Sequence, residues 1–439
     1  NMHAQRSSVH TPLLSLPSTP HPRTTFLQMR RVRHLWFLLA ATTLAFETPP
    51  RVQLRARGGH TARSDRRVRP QRLVAMSSTA SPSGEDIVGW GIVGLGDVCA
   101  VKAGPAFVKA EGSRLVAVMQ RTPGAAEEWA RQKVPGGGCT GYDNLDAFLS
   151  DSLLGAVYIA TPPGSHLEIA RKVAAAGKPA YIEKPVGRSH AEATQIAEVF
   201  SQCSIPLFTA YTSRAFERSA EVRRLLAAGA VGDRVTNITY VCHGSGLARG
   251  LQSDSIPWRL QAEHSGGGLV MDVGCHLIDR LDFFCGPLVN VSGNAANKGS
   301  PHQQVEDYVQ LHAQIGASSW AAVCSEGAQV ECCWDFSASE SKDELVISGP
   351  GGALKMAGMS SSLPISVLDP TGKVIQEIKF EAPEHAALPL IQIVTNHLRE
   401  RTIASQSTAG AGEDSGGGGG RDPGGRVGGE GEEVGTESE

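Results

Sequence analysis

The chain has 439 residues, with 41 Lys and Arg against 44 Asp and Glu for a formal charge of −3, long enough for two or three domains that each bury a core. That balance conceals a division: residues 1–76 hold 13 Arg, no Lys and only Glu47 and Asp65 as acids, so the rest of the chain is acidic. A nucleic-acid-binding body is thereby excluded, since any basic surface would have to rest on the leader alone.

Within the leader, Met29-Arg30-Arg31-Val32-Arg33 is a basic patch and His34–Phe46 an apolar run of about 13 residues. Such a run is too short to span a bilayer stably and has the length of a signal-peptide core. A signal core followed by a basic, acid-poor extension resembles the two-part leaders of algae with complex plastids, with Phe46 near the cleavage point. That resemblance implies a plastid stroma destination, Met29 as the start, and no membrane segment in the mature protein. A mitochondrial or cytoplasmic protein and a functionless upstream region are the competing readings. Residues 1–84 are read as leader and linker. Residues 404–439, rich in Gly and Glu and lacking aromatics, are read as a disordered tail.

From residue 87 strand-length apolar runs alternate with helical periodicity, the mark of βα units in a parallel sheet. Strands are expected at 87–93, 114–119, 155–160, 179–183 and 206–211. Helices are expected at 98–109, 125–132, 144–149, 165–176, 191–201 and 219–228. The first strand runs into Gly94-Leu95-Gly96-Asp97-Val98. Gly94 suits a tight turn, and Gly96 lets backbone approach a pyrophosphate at a helix N-terminus. Cys99 stands where a third glycine of the dinucleotide fingerprint would fall. The second strand ends at Met119-Gln120-Arg121, without the acid that binds the ribose 2′-hydroxyl of NAD. Arg121 instead offers a guanidinium to a 2′-phosphate, so NADP(H) is favoured and NAD(H) remains open. Thr161 and Pro162 follow the third of these strands at its carboxyl edge, and His166 is either a cofactor neighbour or a structural residue.

After Val231 the pattern changes. Strands are expected at 235–242, 289–294, 306–314, 320–325, 329–336, 343–348, 353–356, 365–368 and 374–380, joined by short turns as in an antiparallel sheet. One amphipathic helix is expected to carry Asp272 and His276 and to end near Cys285, and a final helix spans 388–399. The fold class is thus α/β: an N-terminal Rossmann dinucleotide-binding domain (85–212), then an α+β domain with a largely antiparallel open sheet (213–403). One exposed sheet face points to a homodimer or higher homo-oligomer. Nine cysteines show no CxxC pair, which favours a reducing compartment and offers no metal cluster.

Two segments carry candidate chemistry. In Glu183-Lys184-Pro185, Pro185 restricts Lys184 to an extended conformation at the carboxyl end of a strand. Desolvation beside a positive nicotinamide ring is expected to lower the lysine's pKa. The competing reading is a solvated strand-end lysine paired with Glu183. In Gly266-Gly267-Gly268…Asp272…His276, the acid and the imidazole share one helix face at i and i+4. His276 can accept a hydroxyl proton and Asp272 can orient it or hold substrate; a buried histidine satisfied by a carboxylate is the alternative. Asp279 and Asp282 are read as solvated or cap-related.

The Gly-x-Gly turn, the Thr161-Pro162-Pro163…His166 segment, Glu183-Lys184-Pro185 and the triple-glycine helix with Asp272 and His276, in this order, resemble the glucose–fructose oxidoreductase/inositol dehydrogenase/MocA (Gfo/Idh/MocA) family from about Val88 to Thr402. The resemblance implies an oxidoreductase acting on a small-molecule substrate, a sugar, cyclic polyol or related diol. Lys184 would then be the proton carrier or hydroxyl ligand, with Asp272 and His276 at the substrate-binding and acid/base positions. It also implies that Trp258 and Arg259 reach towards the cofactor from the second domain and that Tyr211 enters the cleft. Thr212-Ser213 departs from the more basic pattern there. A cofactor-binding sensor without turnover is the alternative on the same fold.

Overall fold

The computed structural model describes residues 87–134, 136–244, 256–299, 305–360 and 363–410; the leader and most of the Gly/Glu tail lie outside them. The first sheet has six parallel strands: β1 (Val88–Val93), β2 (Ser113–Met119), β3 (Thr140–Tyr142), β4 (Ala156–Ile159), β5 (Ala180–Ile182) and β6 (Leu207–Thr209). Their order is β3-β2-β1-β4-β5-β6, so the chain reverses its direction of travel across the sheet between β1 and β4. That switch leaves a crevice beyond the carboxyl ends of the two strands, where ligands of such sheets bind. The helices α1 (Gly104–Lys109), α2 (Ala125–Lys133), α3 (Leu145–Leu149), α4 (His166–Ala175) and α5 (His190–Gln202) connect the strands. The four inner strands β1, β2, β4 and β5 are buried on both faces along most of their length, which is why their sequences are apolar runs rather than alternations. β3 has only three residues, including a glycine, and gave too little pattern to be read as a strand.

The second sheet has eight strands: β7 (Asn237–His243), β8 (Leu288–Ala296), β9 (Tyr308–Ile315), β10 (Gln329–Asp335), β11 (Lys342–Gly349), β12 (Gly352–Met356), β13 (Ile365–Leu368) and β14 (Val374–Ile378). Their order is β14-β13-β12-β11-β7-β10-β9-β8, with β7 and β10 the one parallel pair. Alternate residues of β7, β9 and β10 are buried. They join one core with α6 (Glu217–Ala227) and α8 (Cys275–Cys285). The strand expected at 320–325 is not formed. There Ser318 Oγ accepts from the backbone of Trp320 and Ala321, and the Trp320 indole donates to Asp282 O at 3.0 Å, so the segment wraps the end of α8 as a loop.

The last helix, α9 (Leu388–Gly410), runs 11 residues past the expected end at Arg399. The 213–403 range groups it with the second domain, yet its apolar side enters the first. Leu390, Ile391, Val394 and Leu398 share a core with Trp90 and Phe107. The Trp90 indole donates to Thr395 Oγ1 at 3.2 Å, and Gln392 bonds both backbone groups of Glu111. That a helix lies here was legible, but what it would cover was not.

Candidate active site

The glycine turn leaves β1 beside β2 and β4: Gly94 N–H donates to Met119 O at 3.0 Å, and Ala160 N–H to Val93 O at 2.8 Å. Gly94 has φ +98°, and a Cβ there would stand 2.9 Å from Thr161 Cγ2, so both conformation and space demand glycine. Gly96 is exposed and has nothing within 4 Å of its missing side chain. Helix begins at Asp97, and its first backbone N–H groups are available to an anion. The open ground at Gly96 and this helix start together fit a dinucleotide pyrophosphate, with Gly94, Gly96, Asp97 and Val98 as the holding backbone. Cys99, at the third-glycine position, is fully buried. It opens a π-helical turn, Cys99–Ala103, closed by Gly104 N–H on Cys99 O.

Arg121 is exposed, two residues beyond the β2 end that Gly94 bonds. Thr161 lies against Gly94 and its Oγ1 accepts from Ser165 Oγ at 2.9 Å; Pro162 beside it is partly exposed. His166 is a different matter. It is fully buried, with its ring nitrogens 2.7 Å from Thr161 O and 3.0 Å from Val186 O. Burial lowers its pKa against the pull of those carbonyls. It therefore clips the Thr161 turn to the segment after Pro185 and does not face the crevice, which resolves its two readings in favour of structure.

Lys184 and Asp272, 88 residues apart, meet. Lys184 Nζ donates to Asp272 Oδ1 at 2.9 Å and to Asp272 O at 2.9 Å. The triple glycine explains how. A Cβ on Gly266, which has φ +85°, would stand 2.3 Å from Arg188 O, just past Lys184; one on Gly268 would stand 2.2 Å from Glu306 O in the second domain. Backbone from both domains thus closes on this segment, and Gly268 N–H donates to both oxygens of Glu306 at 2.9 Å. The helix carrying the site starts as a second π-helical turn, Val270–Gly274, and continues as α8 with His276. Such turns re-aim side chains inside a helix.

Asp272 also holds the second domain's Arg259 in an ion pair, Nε 3.1 Å from Oδ2, while the guanidinium stacks 4.5 Å over Trp258. Glu183 does not pair with Lys184 as the solvated reading requires. Its carboxylate accepts from Tyr158 OH at 2.5 Å and from the Lys184 backbone at 3.2 Å, and burial holds its pKa up. The His276 ring meets Tyr211 edge-on, centroids 6.3 Å apart. It remains partly exposed and takes no hydrogen bond among the described residues.

Burial works to lower the Lys184 ammonium, but Cys275 and the carboxylates of Asp272 and Glu183 outweigh it and hold the pKa above the ordinary lysine value. Against the lowering expected beside a nicotinamide ring, the chain's own groups, Cys275 first and then the carboxylate of Asp272 from a distant segment, act to raise the pKa. His276 goes the other way. Burial first, then the charges of Lys184, Arg280 and Lys102, push it well below the usual histidine range. Two titratable groups at one site are driven apart, an ammonium donor beside a neutral imidazole, which is the pattern that separates acid from base.

Asp279 and Asp282 are buried, not solvated: both receive Arg214, at 2.8 and 3.0 Å, across the junction after β6. Burial lifts Asp279 to about 6 even so. Tyr158, Lys102, Arg214 and Cys275 escaped the sequence reading. For Tyr158 there was a signal, since β4 and β5 in parallel register place Tyr158 beside Tyr181, whose strand leads to Glu183.

Residues 88–211 match the family model described as "Oxidoreductase family, NAD-binding Rossmann fold", and residues 219–355 the one described as "GFO/IDH/MocA C-terminal domain". An oxidoreductase of Formosa agariphila is 30% identical over 312 residues, spanning 70% of this chain and 90% of its own. The chain belongs to the Gfo/Idh/MocA oxidoreductase family. Within it, the trans-1,2-dihydrobenzene-1,2-diol dehydrogenase of Danio rerio is 24% identical over 300 residues, 67% of this chain and 79% of its own. The fold matches aldose-aldose oxidoreductase from Caulobacter crescentus, with TM-score 0.58 and 22% identity over 73% of this chain and 90% of that one. It also matches levoglucosan dehydrogenase in complex with NADH and L-sorbose, with TM-score 0.57 and 20% identity over 72% and 90%.

Proposed function

We propose that this family member interconverts a secondary hydroxyl and a ketone on a sugar, cyclic polyol or related diol, with NADP(H) as the preferred dinucleotide. The meeting of Lys184 with Asp272 from the second domain, on the helix that carries His276, carries the reading. Bound nicotinamide supplies the hydride acceptor or donor; the chain's own groups handle the proton. In oxidation, neutral His276 accepts the hydroxyl proton while the Lys184 ammonium donates a hydrogen bond to the same oxygen as its negative charge grows. In reduction, the same pair returns the proton. Asp272 keeps Lys184 charged and aimed, and Arg259 braces Asp272 from the second domain. Relatives whose names describe diol and anhydro-sugar oxidoreductases support the substrate class, and exposed Arg121 supports the 2′-phosphate.

A panel of polyols, sugars and aldoses with NADP⁺ and NADPH, followed at the nicotinamide absorbance, tests the class. Lys184→Ala should abolish turnover while leaving NADPH binding within about tenfold, ~1.4 kcal/mol; retained turnover refutes the assignment. The bare outer face of the second sheet supports pairing of two copies. The leader pattern supports import into a plastid, so residues 29–76 fused to a fluorescent protein should direct it there, and a cytosolic signal overturns that destination.

A further inference from the structure

Behind His276, α6, α8 and the β11–β12 strands enclose a small pocket lined by Phe216, Arg218, Ser219, Arg280, Leu345 and Met356, among others. Two of its walls are guanidinium groups. Arg218 is 7% exposed and Arg280 9%, and neither forms a salt bridge among the described residues. Arg218 Nη1 donates to Ala357 O at 3.2 Å and Ser360 O at 2.6 Å, but its Nε and Nη2 are buried with no acceptor. Arg280 donates no hydrogen bond among the described residues.

Asp343 offsets part of both charges, but neither arginine hydrogen-bonds it. Asp343 accepts the Tyr240 hydroxyl and the backbone N–H groups of Gly358, Met359 and Ser360. Asp279, the residue before Arg280, is engaged by Arg214. Burial and then the charge of Arg280 push Arg218 down to about 10, and burial holds Arg280 below its ordinary value against the pull of Asp279, Tyr240 and Asp343. Removing a charge from water without a partner costs several kcal/mol, and the remaining N–H groups form a planar fork suited to two oxygens of one anion.

We propose that Arg218 and Arg280 form a binding site for a carboxylate group. The pocket is small, so only the smallest carboxylate-bearing group is a candidate. Arg280 lies one helical turn beyond His276 on α8, a rise of about 5–6 Å. The group is therefore either a free small acid anion or the carboxylate of a substrate whose hydroxyl lies at His276; the second source rests on the function proposed above.

Formate is the probe. Thermal unfolding of the full chain at low ionic strength, in sodium formate or in a bulky sulfonate salt at equal concentration, should show a saturable rise specific to formate. Arg280→Met should abolish that rise, and so should Arg218→Met. A formate response equal to that of the sulfonate overturns the site, as does one retained in both variants. Should neither variant fold, ¹³C-formate line broadening on the wild-type chain decides: saturable broadening displaced by acetate supports the site, and its absence overturns it. This measurement needs no turnover, so its failure is separate from failure of the oxidoreductase reading. The source is read from a neutral polyol and the matching acid. A substrate-borne carboxylate predicts that formate competes with the acid and that Arg280→Met raises KM for the acid more than tenfold relative to the polyol. A free anion predicts formate binding without competition.

Discussion

Asp272→Asn isolates the charge that joins the two domains. Asn keeps the shape and an acceptor oxygen near Lys184 Nζ, and the backbone O of residue 272 still accepts at 2.9 Å. What disappears is the negative charge between two cations. The Lys184–Asp272 pair is only 16% and 12% exposed. Deleting one partner of a buried pair costs about 3–5 kcal/mol; because two neutral bonds survive here, the expected loss is about 2–3 kcal/mol. The Arg259 contact adds little, since its side chain is 34% exposed and water screens it.

The pH dependence follows from the direction of the Lys184 shift. Its folded pKa lies above the unfolded value near 10.5, so its stabilisation is complete below that pH and fades as pH rises through the folded pKa. Asp272→Asn should therefore be destabilised at pH 7–9, with the gap to wild type narrowing above pH 10.5. The basic limb of the kcat/KM profile should move to lower pH, because burial is then less opposed. Urea unfolding at several pH values and a pH–rate series test both. A variant within about 0.5 kcal/mol of wild type with an unmoved basic limb would refute the argument.

Arg121→Ala should weaken NADPH by at least about tenfold, ~1.4 kcal/mol, and NADH by no more than about twofold in fluorescence titrations; equal losses would remove its phosphate role. Gly268→Ala would set a Cβ 2.2 Å from Glu306 O, forcing a backbone shift worth about 1–3 kcal/mol. Both the denaturation midpoint and kcat should fall, and an unaffected kcat would mean that this segment does not position Asp272.

The sequence by itself determined the elements whose physics is local. Apolar runs of strand length between helical periods gave the parallel sheet, and alternation after Val231 gave the second sheet. Gly94 and Gly96 marked a turn that only a strand leading into a helix requires. Lys184, Asp272 and His276 could be named as candidates from a strand end and a helix face, each with a structural alternative, and it was the resemblance to the family that joined them into a set. What tertiary structure decided was every question of partner. His166 was evenly balanced until two carbonyls from separate segments enclosed its ring. Asp279 and Asp282 looked solvated or cap-related until Arg214 met them across the domain junction, and α9 was expected as a helix without any sign that Trp90 lay beneath it. The direction of the Lys184 shift depended on Cys275 and on a carboxylate 88 residues away. Burial and charge set a pKa through neighbours in space, and the triple glycine that brings those neighbours together does so by admitting backbone from both domains.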